Sequence, residues 1–284
     1  MTLLVVDGSN AIHRAHYAVP KMSHKGTPTN AVVGFMRIVL SNLRITEATH
    51  CGVVFDLPGR NFRHELFDEY KGTREKKPEV SEALAIQVPI CADLCRAIGL
   101  RMVGKKNVEG DDIIGHLAVE YAKEYDDLAV ILSNDKDFAD LLKHRKVRLM
   151  NPNKGMITRK RVPEIWGVKA SQMVDYLMLE GDKIDNIPGV KGVGEVTILK
   201  MLGEYRRVED VPAEMFPKAY RDPKAFKALH RQFKLTRKLL TIRLDCVRYD
   251  LRKLERRKGD PDMVKEICAE YGLNKLQADL LRAC

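Results

Sequence analysis

The chain has 284 residues, an apolar fraction of 45% and a net charge of +10, enough length and apolar content to bury one large core or two small ones. Its apolar stretches are all short, and the first is stopped at Asp7, so no membrane span and no signal peptide is expected and an intracellular, soluble protein is the default. Cys51, Cys91, Cys95, Cys246, Cys268 and Cys284 form no CxxC pair and no zinc-like spacing, which leaves them as reduced thiols. The positive charge is unevenly placed. Residues 1–150 hold 21 Lys and Arg against 20 Asp and Glu, whereas residues 151–284 hold 28 against 19. Within 218–258 there are 15 basic residues and four acidic ones, a composition suited to a polyanion.

Taken in chain order, Leu3-Leu4-Val5-Val6-Asp7 is an unbroken apolar run that reads as a strand buried on both faces. A helix follows at 30–43, with Val33, Phe35, Met36, Val39, Leu40 and Leu43 at helical spacing. Val53-Val54-Phe55-Asp56 is a second such strand, and Val130-Ile131-Leu132-Ser133-Asn134-Asp135 a third. Between them, 62–78 is crowded with charge and, from charge alone, reads as a solvated loop. A helix opens near Val108 with Glu109, Asp111 and Asp112 in its first turn, where carboxylates are also favoured by capping and by the helix dipole.

Alternation of strands and helices up to about residue 150 predicts an α/β fold with a mainly parallel sheet flanked by helices. Ligands of such sheets bind beyond the carboxyl ends of the strands, so three strands ending on Asp place three carboxylates on one rim. With Glu109, Asp111, Asp112, Asp137, Asp182 and Asp185 added, the site carries more negative charge than a protein holds without cations. Hard Mg²⁺ or Mn²⁺ suits such oxygens. Past Trp166 the pattern becomes helical, giving domains at 1–165 and 166–284. In 222–240, Lys224, Lys227, Arg231, Lys234 and Lys238 recur every three or four residues opposite Phe226, Leu229 and Phe233, a basic stripe on an amphipathic helix.

These motifs together resemble the 5′ nucleases, the family of the nuclease domain of bacterial DNA polymerase I, bacteriophage 5′ to 3′ exonucleases and flap endonucleases. The matching segments are Leu4–Asn10, Val54–Asp56, Phe62–Phe67 with Tyr70–Arg74, Val108–Gly115, Asp135–Asp137 and Gly181–Gly194. The resemblance implies a PIN-like core, a helical arch over about 63–95 and a helix-hairpin-helix at about 184–203. It further implies two divalent cations held by Asp7, Asp56, Glu109, Asp111, Asp112, Asp135, Asp137, Asp182 and Asp185, with Asp112 the weakest candidate. Lys71 matches the family's catalytic lysine and Arg74 a basic partner at the scissile phosphate.

The glycine-rich turn of Gly189, Lys191, Gly192 and Gly194, with Lys200 beyond it, implies a grip on duplex backbone and a K⁺ ion on its carbonyls. Lys227, Arg231 and Lys234 extend that contact. With no room beyond these motifs for a polymerase, a stand-alone, monomeric nuclease of the phage type is implied, in a bacterial or phage-infected cytoplasm. It would act on DNA with a 5′ end, flap or nick during replication, repair or primer removal. Two other functions fit the residues: a junction-binding protein with a defunct site, and a ribonuclease acting on RNA:DNA hybrids. Three positions depart from the family pattern, Asn134 before the DxD pair and Val196 and Ile198 in the hairpin's second helix.

Overall fold

The structure, a computed structural model, describes residues 1–73 and 77–284. Strand β1 (Thr2–Asp7) leads directly into helix α1 (Gly8–Ala18), and a two-residue hairpin, β2 (Ser23–His24) and β3 (Thr27–Pro28), precedes α2 (Asn30–Thr46). After β4 (His50–Val54) come the short α3 (Phe62–Leu66) and the 20-residue α4 (Pro78–Ala97). Strand β5 (Arg101–Val103), α5 (Gly110–Glu124), β6 (Leu128–Leu132), a 3-10 helix (Lys136–Lys143), β7 (Val147–Asn151) and β8 (Gly155–Ile157) complete the α/β part.

The sheet order is β5-β4-β1-β6-β7-β8, parallel throughout except for the β7–β8 pair at one edge. Leu3, Leu4, Val5 and Val6 are fully buried because helices cover both faces of the central strand. Alternate side chains serve two cores, Leu3 and Val5 packing with α5 and Leu4 and Val6 with α1, α2 and α4. Parallel register fixes the site: Asp7 lies beside Val54, and Val6 beside Leu132, so the chain leaves β1, β4 and β6 on the same rim.

The helical part holds α6 (Val162–Trp166), α7 (Met173–Glu180), α8 (Glu195–Glu204), α9 (Pro223–Leu240), α10 (Pro261–Glu270) and α11 (Asn274–Leu281). Asp222 caps α9 by accepting from the amides of Lys224 and Ala225, and Pro223 occupies the first turn, where its missing N–H is harmless. Leu229, Phe233, Thr236, Leu239 and Leu240 are the buried face of α9. Arg237 ties that face down, its guanidinium reaching Asp175 at 2.6 Å and Glu209 at 2.8 and 2.6 Å. No helix among the described residues is long and apolar enough to cross a membrane.

Two expectations about boundaries change. From Leu84 onward α4 buries Leu84, Gln87, Ile90, Cys91, Leu94 and Cys95, so residues 84–95 of the expected 63–95 arch belong to a core helix. The segment 259–284 also leaves the helical half. Val264, Ile267, Cys268, Leu276 and Leu280 of α10 and α11 pack into the core of β1, α2 and α4. A connecting strap prepares this return, with the Arg256 amide donating to the Thr49 carbonyl at 3.0 Å and the Arg257 amide to Gly99 at 3.1 Å.

Candidate nuclease site

The site grows from the strand ends. Asp7 caps α1, one oxygen accepting from the Asn10 amide at 3.0 Å and the other from the Ser133 hydroxyl at 2.8 Å. Asp56 stands two residues beyond β4 and accepts from the Gly110 amide at 2.7 Å, while its own amide donates to Ser9 Oγ at 3.0 Å. Asp135 caps the 3-10 helix through the Asp137 amide at 2.9 Å, and its own amide donates to Ser133 Oγ at 3.1 Å. Asn134 accepts from the Asn10 side chain, so this departure from the family pattern links the β1 and β6 turns. Donors of this kind orient metal ligands by holding the oxygens that face away from the ion.

Asp182 and Asp185 arrive from the other half of the chain. The loop after α7 closes on itself through paired backbone bonds between Asp182 and Ile187, at 2.8 and 2.7 Å. Asp182 also accepts from the Ile184 amide at 2.8 Å. Asp185 meets the α/β part twice, its carbonyl accepting from the Lys71 amide and its carboxylate from the Tyr70 hydroxyl, both at 3.0 Å.

Electrostatics knit these groups into one acidic cluster. Burial pushes Asp7 up to about 7, with Asp56 and Asp135 raising it further and the Asn10 and Ser133 bonds pulling it down. Burial likewise raises Asp111, reinforced by Asp135, Asp7 and Asp56, and Asp137, reinforced by Asp135, Asp182 and Asp185. Asp135 is raised by burial and by Asp185 and Asp182, against its backbone bond. Carboxylates that hinder each other's ionisation mark a functional cluster.

Whether this cluster suits a hard divalent cation can be tested on its oxygens. One oxygen of Asp137 is fully buried with no hydrogen-bond partner, an orphan acceptor of the kind a cation satisfies. The donor set is all carboxylate oxygen, as Mg²⁺ and Mn²⁺ prefer. No three of the described His, Cys, Asp and Glu residues are drawn into a ready-made coordination sphere. The residues therefore fit the cation in the chemistry of their oxygens.

Glu109 and Asp112 have other partners. Glu109 is the N-cap residue of α5, yet its side chain makes no cap bond. Its carboxylate accepts instead from Lys71 Nζ at 2.7 Å, Asn61 Nδ2 at 2.9 Å and the Tyr70 hydroxyl at 3.2 Å, with Arg63 at 2.9 Å. Asp112, 1% exposed, has both oxygens engaged by Arg63 in a two-pronged pair at 2.8 Å each, and a further bond from the Arg243 amide at 2.9 Å. Adjacent helical residues face different directions, so Asp111 points to the acidic cluster and Asp112 away from it. Asp112 thus shares Arg63 with Glu109, while Asp111 is the one grouped with Asp7, Asp56 and Asp135.

Lys71 is brought to the cluster in a left-handed conformation, φ 58°, in the turn after α3. Such a backbone costs a non-glycine residue about 1–2 kcal/mol, and here the Asp185 carbonyl holds it. Arg74 lies outside the described residues. Charge alone suggests a solvated loop for 62–78, but Arg63 is only 3% exposed. Arg63, Tyr70, Asn61, Ser9 and Ser133 were not singled out by sequence reasoning. Each sits inside or beside a motif that carries the resemblance, and only its partner, 39 or more residues away, reveals its use.

The hairpin is formed by α7 and α8, so its first helix precedes the expected 184–203 span. Gly189 is required by close approach, since a Cβ there would stand 2.3 Å from the Glu180 carbonyl oxygen, and Gly192 by its φ of +82°. Lys191, Gly192, Gly194 and Lys200 are exposed on the turn and on α8. Ile198 is buried in the helix packing, while Val196 is 85% exposed. On α9, Lys224, Lys227, Arg231, Lys234 and Lys238 all face solvent, and none makes an ion pair among the described residues.

Comparisons with known proteins agree with this fold. Residues 2–167 match the family described as 5′-3′ exonuclease, N-terminal resolvase-like domain, and 168–262 the 5′-3′ exonuclease, C-terminal SAM fold. The chain is 33% identical over 269 residues to a 5′-3′ exonuclease of Aquifex aeolicus, covering 93% of this chain and 89% of that protein. It is 37% identical over 279 residues to DNA polymerase I of Bacillus caldotenax, covering 95% of this chain but only 31% of that one. In fold it is similar to T5 5′-exonuclease bound to divalent zinc ions, with TM-score 0.67, 22% identity and coverage of 100% and 99%. It is likewise similar to the catalytic core of Rad2 in complex with DNA substrate, with TM-score 0.64, 16% identity and coverage of 99% and 92%. The chain belongs to the 5′-3′ exonuclease family.

Proposed function

We propose that this protein is a divalent-cation-dependent, structure-selective 5′ nuclease that hydrolyses phosphodiester bonds at 5′ ends or 5′ flaps of DNA. The observation that carries the proposal is the carboxylate cluster of buried Asp7 and half-buried Asp111, Asp135 and Asp137, whose charges raise one another's pKa, with Asp182 and Asp185 beside it and Lys71 reaching in. Two Mg²⁺ or Mn²⁺ ions held by these residues and Asp56 would supply an activated water and neutralise the phosphate in an in-line displacement. Divalent ions in T5 5′-exonuclease support this reading.

The chain's own groups do the rest. Ser133, Asn10 and the Gly110 amide hold the carboxylates in orientation. The Lys71 ammonium, 2.7 Å from Glu109 and 3.9 Å from Asp185, is placed to offset charge developing on the phosphate. No serine or histidine nucleophile is needed. Duplex would lie on the α9 stripe and on the α7–α8 turn, where amides and glycines let phosphate approach without base readout. A K⁺ ion on that turn's carbonyls belongs to the same proposal. Primer removal or flap trimming in replication and repair, in a bacterial or phage-infected cytoplasm, is the setting this activity suits.

The test is product mapping on 5′-labelled flap, nicked and blunt duplexes with Mg²⁺. We expect mononucleotides or flap-length products, and loss of most turnover in Asp135→Ala. Binding of DNA without cleavage in either Mg²⁺ or Mn²⁺ would refute the enzymatic reading.

A further inference from the structure

Arg63 is the most heavily engaged cation among the described residues. Its guanidinium holds both oxygens of Asp112 and one of Glu109 in α5, and donates to the Leu239 carbonyl at 2.7 Å and the Thr241 carbonyl at 3.1 Å. Those two carbonyls belong to the C-terminal end of α9, the helix with the exposed basic stripe. Glu109, the other end of the contact, is the partner of Lys71. One planar side chain therefore joins the DNA-facing helix, the first turn of the acid-bearing helix and the catalytic lysine's carboxylate. Beside it, α3, α9 and the following segment frame an open cavity of about 670 Å³ lined by Phe62, Glu65, Glu209, Lys234, Lys238 and Arg243. The Arg63 and Arg243 guanidiniums both lie over the Phe62 ring, each 4.6 Å from its centre, which fixes the base of α3 to the same assembly.

We infer that Arg63 is a positioning residue, with Asp112 as its anchor rather than a cation ligand, and that it makes the placement of Lys71 and Glu109 depend on duplex seated along α9. A lysine in place of Arg63 keeps the charge but lacks the fork that bonds Asp112, Glu109 and two carbonyls at once. The reasoning rests on the nuclease reading above, since it assigns Lys71 to the reacting phosphate. Misplacement of a reacting group by about 1 Å is enough to cost on the order of 100-fold in rate.

The experiment compares wild type, Arg63→Lys and Asp112→Asn, with folding checked by thermal melting. Single-turnover cleavage is measured on flap substrates whose duplex arm is either too short or long enough to reach α9. Wild type should cleave the long-arm substrate faster; both variants should lose that gain and fall about 100-fold, with affinity for duplex within about 3-fold of wild type. Hydrogen exchange at 69–73 should slow on duplex binding in wild type and not in the variants. The Mn²⁺ concentration that half-stabilises the DNA-free protein should be unchanged in Asp112→Asn and raised in Asp135→Asn.

The inference is overturned if Asp112→Asn shifts that Mn²⁺ midpoint as Asp135→Asn does, or if Arg63→Lys retains the arm-length gain. Should Arg63→Lys fail to fold, Asp112→Asn decides. A wild-type protein that cleaves nothing sinks the nuclease reading instead, and the exchange measurement still judges the coupling.

Discussion

Burial raises the Asp7 carboxyl from the 3.8 of an unfolded chain to about 7, and Asp111, Asp135 and Asp137 move the same way. A raised folded-state pKa means that the native state binds the extra proton, so its stabilising effect is complete below about pH 4 and lost as pH rises through about 7. For Asp7 alone the loss is at most about 4 kcal/mol. Added cation should reverse it by binding the ionised cluster. We expect the Mg²⁺-induced rise in melting temperature to grow steadily from pH 5 to pH 8, and to be smaller at pH 8 in Asp7→Asn. An equal rise at both pH values would count against a cation in the cluster. Lys71→Ala should slow single-turnover cleavage by about 100-fold, the scale of removing one transition-state donor, and change duplex affinity little. Collapse of affinity with unchanged cleavage of bound substrate would give Lys71 a binding role instead.

At the scale of elements, α9 is where the charge pattern of the sequence becomes a surface. Replacing Lys227, Arg231 and Lys234 by Ser should lower the slope of log affinity against log salt by about 2–3, as fewer counterions are released. An unaltered slope would leave the stripe merely solvated. That stripe was legible in the sequence, as were the strands ending near Asp7, Asp56 and Asp135, because helical and strand periodicities are local properties. Asp112 was legible only as the weakest of the candidate ligands; its partner Arg63, 49 residues upstream and holding both its oxygens, was not, because that contact is long-range. The hairpin's first helix was missed for a related reason: α7 is apolar on nearly every side, with Met173 to Leu179 all buried, so no amphipathic stripe announces it.

Across the whole molecule, the boundary in sequence between an α/β half and a helical half is not a boundary in packing. Residues beyond 260 return to the core of Leu4, Val6, α2 and α4, a long-range contact that no local pattern encodes. Deleting 261–284 should therefore destabilise the nuclease half itself. The expected result is early melting of the Leu4, Val6 and α2 region by hydrogen exchange, with exposed apolar surface detected by dye binding. A truncated protein that melts like the full one would show that α10 and α11 are dispensable.

The same return sets an order for synthesis. The face of β1 formed by Leu4 and Val6 is made long before Leu276 and Leu280, which share its core. During translation that core stays open on one side for more than 250 residues of elongation. The parallel pairing of β1 with β4 and β6 must also wait for distant segments. Contacts of such high sequence separation make folding slow and leave nascent chains exposed to aggregation. The closure of this core waits until α10 and α11 have been made and can reach β1.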